Sequence, residues 1–303
     1  MKFLKDNLAV IGIILVVAAT ASVFIPKVGP FNTKQSGVDE KLQVTTSFYP
    51  LWYFATQIGG NKADVTNITP AGVEPHDYDP STQNIARIES GDMLVLNGSL
   101  ETWADKIKGN LKGTNIKIVI AGEGLFTKPQ DPHIWLDPKL AKRQVKKITE
   151  GYAEIDPING GYYQDNEKKL SQKLDELDNQ FKEGLKSCRR KDMVTSHTAF
   201  AYLAGSYGLN QVAISGLSPD EQPPAQQLAK VAEFAKKENV KYIFFESLVS
   251  PKLSETIANE AGAQTLVLDP IEGLSDDDIK EGKDYFSLMQ ENLKNLQIAL
   301  QCL

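Results

Sequence analysis

From Lys41 onward, short runs of β-branched and aliphatic residues alternate with longer stretches whose apolar positions recur every three to four residues. The short runs predict strands at Lys41–Ser47, Asp64–Ile68, Met93–Leu96 and Ile116–Ile120, then at Asp192–Ser196, Asn210–Ile214, Tyr242–Glu246 and Gln264–Leu268. The longer stretches predict helices, among them Pro50–Gly59, Ser81–Glu89, Pro224–Glu238 and Pro251–Ala261. Short apolar runs alternating with period-3.6 stretches give an α/β fold whose parallel sheets are covered by helices on both faces. Four strand–helix units on either side of the middle predict two lobes of similar architecture, although no residue-level repeat relates them.

Between the halves the pattern changes. From Asn159 to Lys186 there is no proline, and glycine occurs only at Gly160 and Gly161 near the start and Gly184 near the end. Leu170, Leu174, Leu177, Phe181 and Leu185 fall on one helical face; Lys168, Lys169, Lys173, Glu176 and Lys182 fall on the opposite one. A helix of this length spans roughly 40 Å, enough to run along a two-lobed molecule. Its charged stripe is a solvated face, and under four heptads make a weak case for a coiled coil.

The N-terminus reads differently from the rest. Lys2 and Lys5 precede an uncharged apolar run, Leu8 to Ile25, closed by Pro26 and Lys27. Positive residues, an apolar core and small residues at Ala19-Thr20-Ala21 are the pattern of a secretory signal. The run also approaches the roughly 20 residues of a bilayer span, so a cleaved signal and a retained anchor both fit. Residues 1–27 are assigned to this segment, 28–40 to a polar linker, 41–158 to an N-terminal lobe, 159–187 to the linking helix and 188–303 to a C-terminal lobe. The body of the chain is expected outside the cytoplasm, in a periplasm or on the outer face of the membrane.

Composition narrows the function classes. A formal net charge of −6 argues against nucleic acid, which needs a basic footprint. Two cysteines, Cys188 and Cys302, are too few for a thiolate metal cluster. An exported location permits them to form a disulfide, which would pin the C-terminal amphipathic helix; one buried and one terminal free thiol is the alternative.

The chain holds three histidines, and each lies just beyond a predicted strand or strand-turn. His76 sits in Gly-Val-Glu-Pro-His-Asp-Tyr-Asp-Pro, His133 in Asp-Pro-His-Ile-Trp-Leu-Asp-Pro, and His197 ends Met-Val-Thr-Ser-His. In open parallel sheets ligands gather at the carboxyl ends of strands, and neutral imidazole is a common nitrogen donor for zinc and its neighbours. Asp269, in Leu-Asp-Pro after the last strand, is the candidate fourth donor; a turn or helix-cap role is its plain alternative. Three imidazoles and a carboxylate complete a tetrahedral shell and cancel one of the metal's two charges. Asp77, Asp79 and Asp131 are candidates to orient the imidazoles through their far ring nitrogens. Glu246, at the end of its strand, reads more simply as a lysine partner or helix cap. Glu221 with Pro223-Pro224 reads as a surface turn.

In that order, the Pro-His-x-Tyr element at 75–78 and the Asp-Pro-His-x-Trp-x-Asp-Pro element at 131–138 are specific. With Thr-Ser-Phe-Tyr-Pro-Leu at 46–51, Asn-Gly-Ser-Leu-Glu-Thr-Trp at 97–103, Ser196-His197, Glu-Gln-Pro-Pro at 221–224 and Leu-Asp-Pro at 268–270, they make the chain from Lys41 resemble the metal-binding receptors of ABC-type zinc and manganese importers. The resemblance implies two lobes, each a four-stranded parallel sheet with helices, joined by one long backbone helix. It implies metal ligands at His76, His133, His197 and Asp269, a monomer, and delivery of the metal to a membrane permease. Zinc is the expected cargo and manganese or iron the alternative; some members of the family are described as adhesins, so a metal-dependent surface adhesin is a further alternative. Two departures stand out. The long His- and Asp-rich loop of many zinc-specific relatives is missing, since Leu125–Gln130 is short and has no histidine. No cysteine lies near residue 20 for lipid attachment.

A zinc hydrolase is the rival from another class, with Glu74 cast as general base. No His-Glu-x-x-His element, serine nucleophile elbow or Gly-rich phosphate loop supports it, and a fourth protein donor would close the position a catalytic water needs. A binding protein, not an enzyme, is the expectation.

Overall fold

The structure is a computed structural model that describes residues 41–303 apart from Pro129. The signal or anchor expected at 1–27 and the linker at 28–40 lie outside the described residues. No described helix is long and apolar enough to cross a membrane.

Eight strands form two four-stranded, all-parallel sheets among the described residues. The first contains β1 (Leu42–Thr46), β2 (Ala63–Asn67), β3 (Met93–Leu96) and β4 (Lys117–Ile120), in the order β2-β1-β3-β4. The second contains β5 (Asp192–Thr195), β6 (Asn210–Ala213), β7 (Tyr242–Phe245) and β8 (Gln264–Val267), in the order β6-β5-β7-β8. Each strand lies within a residue or so of its predicted limits. The central strand β3 is buried at all four positions, as a strand covered on both faces must be.

Helices α1 (Tyr49–Gly59), α2 (Thr82–Ser90), α3 (Ala104–Asn110) and α4 (Pro138–Ile155) belong to the first half. Local chemistry sets their starts. Pro50 occupies the first turn of α1, where its missing N–H costs nothing. The Ser81 hydroxyl accepts from the Asn84 N–H at the start of α2, and Asp137 accepts from the Lys139 N–H at the start of α4. The long helix α5 (Gly160–Leu185) follows a short 3-10 turn at Pro157–Asn159. Its 26 residues span about 39 Å. Leu170, Leu174, Leu177, Phe181 and Leu185 are buried, whereas Lys168, Lys169, Lys173, Glu176 and Lys182 are exposed, as the periodicity predicts. Truncating Leu174 to Ala would cost about 2–5 kcal/mol in such a site.

The second half carries α6 (Ala201–Tyr207), α7 (Ala225–Lys237), α8 (Lys252–Ala261), α9 (Asp276–Glu281) and α10 (Tyr285–Ala299). One continuous core runs through both halves and along α5. Tyr53 of α1 stacks on Tyr285 of α10, with ring centroids 5.9 Å apart, and Phe54 meets the same ring edge-on at 5.0 Å. The Tyr285 hydroxyl donates to the Trp135 carbonyl at 2.6 Å. Cys188, just after α5, is disulfide-bonded to Cys302, after α10.

Candidate metal centre

Parallel sheets place all their strand-to-helix loops at one end. Here the loops after β2, β4, β5 and β8 carry His76, His133, His197 and Glu272, and they converge. His133 Nε2 lies 3.3 Å from His76 Nε2 and 3.3 Å from His197 Nε2. Glu272 Oε1 lies 3.0 Å from His76 Nε2, 3.1 Å from His133 Nε2 and 3.9 Å from His197 Nε2. All four donor atoms fall within 4.8 Å of one another. Zinc bonds of about 2.0–2.1 Å in a tetrahedron put neighbouring donors about 3.3 Å apart, so the observed spacings bracket those of a tetrahedral shell.

At His133 and His197 the outer ring nitrogen is committed elsewhere, so Nε2 points inward. His133 Nδ1 donates to Asp131 Oδ1 at 2.8 Å, and that oxygen also accepts the His133 backbone N–H at 3.0 Å. His197 Nδ1 donates to Glu246 Oε1 at 2.6 Å; the Ser196 hydroxyl donates to the same oxygen. Both carboxylates are buried, and their bonds fix ring orientation and tautomer. Asp131 is itself fixed: its carbonyl accepts from the Tyr202 hydroxyl at 3.4 Å. That hydroxyl also accepts the Thr127 and Lys128 N–H groups, each at 3.2 Å. Asn97 Nδ2 donates to the Pro132 carbonyl at 2.9 Å, and Asn97 Oδ1 accepts from Gln144 Nε2 at 2.9 Å.

Electrostatics suits a cation. Burial alone would raise the Glu272 carboxyl, but hydrogen bonds from His133 and His76 hold it well below the usual carboxylate range. Burial would lower His133, yet its bonds to Asp131 and Glu272 win and raise it above the usual imidazole value. The neighbouring Glu74 carboxyl is pushed up to about 10, first by burial and then by the charge of Glu272. Glu272 Oε2 is buried with no hydrogen-bond partner among the described residues. A buried orphan oxygen of this kind costs about 1–3 kcal/mol or more unless something binds it, and a cation held by the same carboxylate is one solution.

The three histidines therefore come together, and the expected fourth donor does not. Asp269 is buried, but its Oδ1 accepts the Ile271 backbone N–H at 2.6 Å, and burial pushes its carboxyl up to about 6. Glu272, three residues on, holds the corner assigned to Asp269. Sequence reading missed it because the chain turns sharply at Ile271, whose φ is +56°, and a β-branched residue gives no warning of a left-handed turn. The only signal was an acidic residue followed by Gly273 in the same post-strand loop. Glu246, read as a lysine partner or cap, instead orients His197. β5 and β7 are neighbours in the sheet, which brings the ends of those two strands together. Of the three aspartates expected to orient imidazoles, Asp131 does so. Asp77 and Asp79 are exposed, and Asp77 shares a hydrogen bond with Asp220 of the loop before α7, raising the Asp220 carboxyl.

The family model for ZnuA, the periplasmic component A of zinc-uptake complexes, matches residues 44–299. The high-affinity zinc uptake system protein ZnuA of Bacillus subtilis (strain 168) is 38% identical, over 94% of this chain and 97% of that protein. The zinc-binding lipoprotein AdcA of Streptococcus pneumoniae is 37% identical over 93% of this chain, which spans only 60% of the longer AdcA. The crystal structure of the Zn(II)-bound ZnuA-like domain of that AdcA superposes with a TM-score of 0.78 and 39% identity, covering 86% of this chain and 99% of the domain.

Proposed function

This chain belongs to the ZnuA family of periplasmic zinc-uptake components, and on that premise we propose that it captures one zinc ion outside the cytoplasm and delivers it to the membrane permease of an ABC importer. His76, His133, His197 and Glu272 are the ligands. The observation that carries this reading is the convergence of three inward-facing imidazole nitrogens and one carboxylate at tetrahedral spacing. A Zn(II)-bound relative of the same fold supports it.

Zinc is favoured over manganese by the donor set. Manganese prefers oxygen-rich octahedral sites, whereas three imidazoles and one carboxylate suit a tetrahedral ion, and the Irving–Williams order places zinc well above manganese at nitrogen donors. Four protein donors close the shell and leave no corner for a catalytic water, so the site binds and does not catalyse. The His76 side chain is 11% exposed, while those of His133 and Glu272 are at 0%. His76 is thus the solvent-side ligand, and the ion enters and leaves past the loop that carries it. The chain acts as a monomer, and residues 1–27 direct export and serve as a cleaved signal or a membrane anchor.

The test is a competition titration of purified protein with zinc and manganese. One equivalent of zinc should bind, displacing manganese, and His197→Ala should lose most of that affinity. Tighter manganese than zinc binding, or no stoichiometric zinc binding, contradicts the proposal.

A further inference from the structure

Asp269 has the sequence signature of a ligand, is buried, and yet its carboxylate Oδ1 is engaged by the Ile271 backbone N–H instead of the cluster. What it does there is legible from the turn it belongs to. Ile271 is fully buried and has a φ of +56°. In that region Cβ crowds the backbone, so it is visited mainly by Gly, Asn and Asp, and a β-branched residue there is an outlier. Such a conformation persists only when the surroundings over-determine it, and strain of this kind gathers at ligand clamps.

The surroundings here do so. The Asp269 Oδ1 accepts the Ile271 N–H at 2.6 Å, closing an Asx-type turn across Pro270. Asn292 of α10 grips the Asp269 backbone from both sides, accepting its N–H at 2.8 Å and donating to its carbonyl at 2.6 Å. Trp135 Nε1, two residues beyond His133, donates to the Pro270 carbonyl at 2.7 Å. The left-handed step at Ile271 then sets the direction of the next residue, Glu272, whose carboxylate reaches His76 and His133.

We propose that Asp269 is a positioning residue: its carboxylate holds Ile271 in the left-handed turn, and that turn delivers the Glu272 carboxylate to the three imidazoles. The inference rests on the reading of those four groups as the metal site. If it holds, Asp269 matters to metal binding only while residue 271 resists the turn. Glycine adopts positive φ without penalty, so placing glycine at 271 should make Asp269 dispensable.

The experiment is a double-mutant cycle on the full chain, read by zinc competition and by the visible spectrum of the cobalt(II)-loaded protein, which reports donor number and geometry. Asp269→Ala should weaken zinc about tenfold or more, equivalent to about 1.4 kcal/mol, and give the cobalt spectrum of Glu272→Ala. Asp269→Asn, which keeps an acceptor oxygen, should stay within about threefold of the wild type. In the Ile271→Gly background, adding Asp269→Ala should change affinity by less than about twofold and leave a wild-type cobalt spectrum. If Asp269→Ala alone does not fold, the pair of variants carrying Ile271→Gly decides by the same criterion. An equal loss in both backgrounds overturns the proposal, because Asp269 would then act by another route; so does no loss in either. Wild-type protein that fails to bind zinc would sink the metal-site reading itself, and a flat cycle on zinc-binding protein would sink only this inference.

Discussion

Replacing Glu246 with glutamine tests whether the metal centre is tuned from behind its ligands. Glu246 is buried and accepts the His197 Nδ1–H at 2.6 Å, so it holds that imidazole in the tautomer that turns Nε2 toward His133. Glutamine has the same volume, so packing changes little. It removes the negative charge behind the ring, and its amide can turn to present N–H groups to Nδ1, favouring the tautomer that protonates Nε2. Loss of an outer carboxylate partner costs about 10–100-fold in metal affinity, or about 1.4–2.7 kcal/mol at 1.4 kcal/mol per decade. The assay is zinc competition against a chromophoric chelator at fixed pH. Glu255→Gln, on the exposed face of α8, serves as the control that should change nothing. A thermal scan of the metal-free variant separates loss of affinity from loss of fold. If Glu246→Gln keeps zinc affinity within about twofold of the wild type, the orienting role is refuted.

Two further outcomes follow from the same geometry. A zinc ion must displace the proton of His133, whose pKa is raised because its bonds to Asp131 and Glu272 outweigh burial. As the pH is lowered, affinity should therefore begin to fall before the ordinary imidazole value of about 6.5 is reached, and below that onset lose about a decade per pH unit for each proton displaced. Glu272, held low, stays charged through that window and adds no loss of its own. Affinity unchanged between pH 5 and 7.5 would contradict this. The Cys188–Cys302 bridge closes a loop of 114 residues, for which chain entropy gives at most about 5 kcal/mol. Unfolded, unreduced protein should show no free thiols, and Cys302→Ser should lower the melting temperature; two titratable thiols would be the opposite result.

Much of this was legible from residue pattern, and the rest was not, for reasons that can be named. The strands were readable because each is a short apolar run bounded by turn residues, and α5 because one face is leucine-rich and the other lysine-rich over 26 residues. The three histidines were readable as a set because they stand alone in the chain and each follows a strand. Glu246 was not, because its role depends on β5 and β7 lying side by side, which only the sheet order reveals. Glu272 was hidden by the turn at Ile271, a conformation held by the Asp269 side chain two residues earlier and, from outside the local sequence, by Asn292 and Trp135. Asp269 looked like a ligand because an acidic residue directly after a strand is where one is expected. The tertiary contacts instead use it to place the residue three positions later.

X-ray absorption of the zinc-loaded protein at the zinc edge reports the donor atoms themselves. Three imidazole nitrogens should appear at about 2.0–2.1 Å and carboxylate oxygen at about 2.0–2.2 Å, with one of the three nitrogens lost in His76→Ala and the oxygen contribution altered in Glu272→Ala but retained in Asp269→Asn. A shell of oxygen donors only, or a spectrum that Glu272→Ala leaves unchanged, would contradict this donor set.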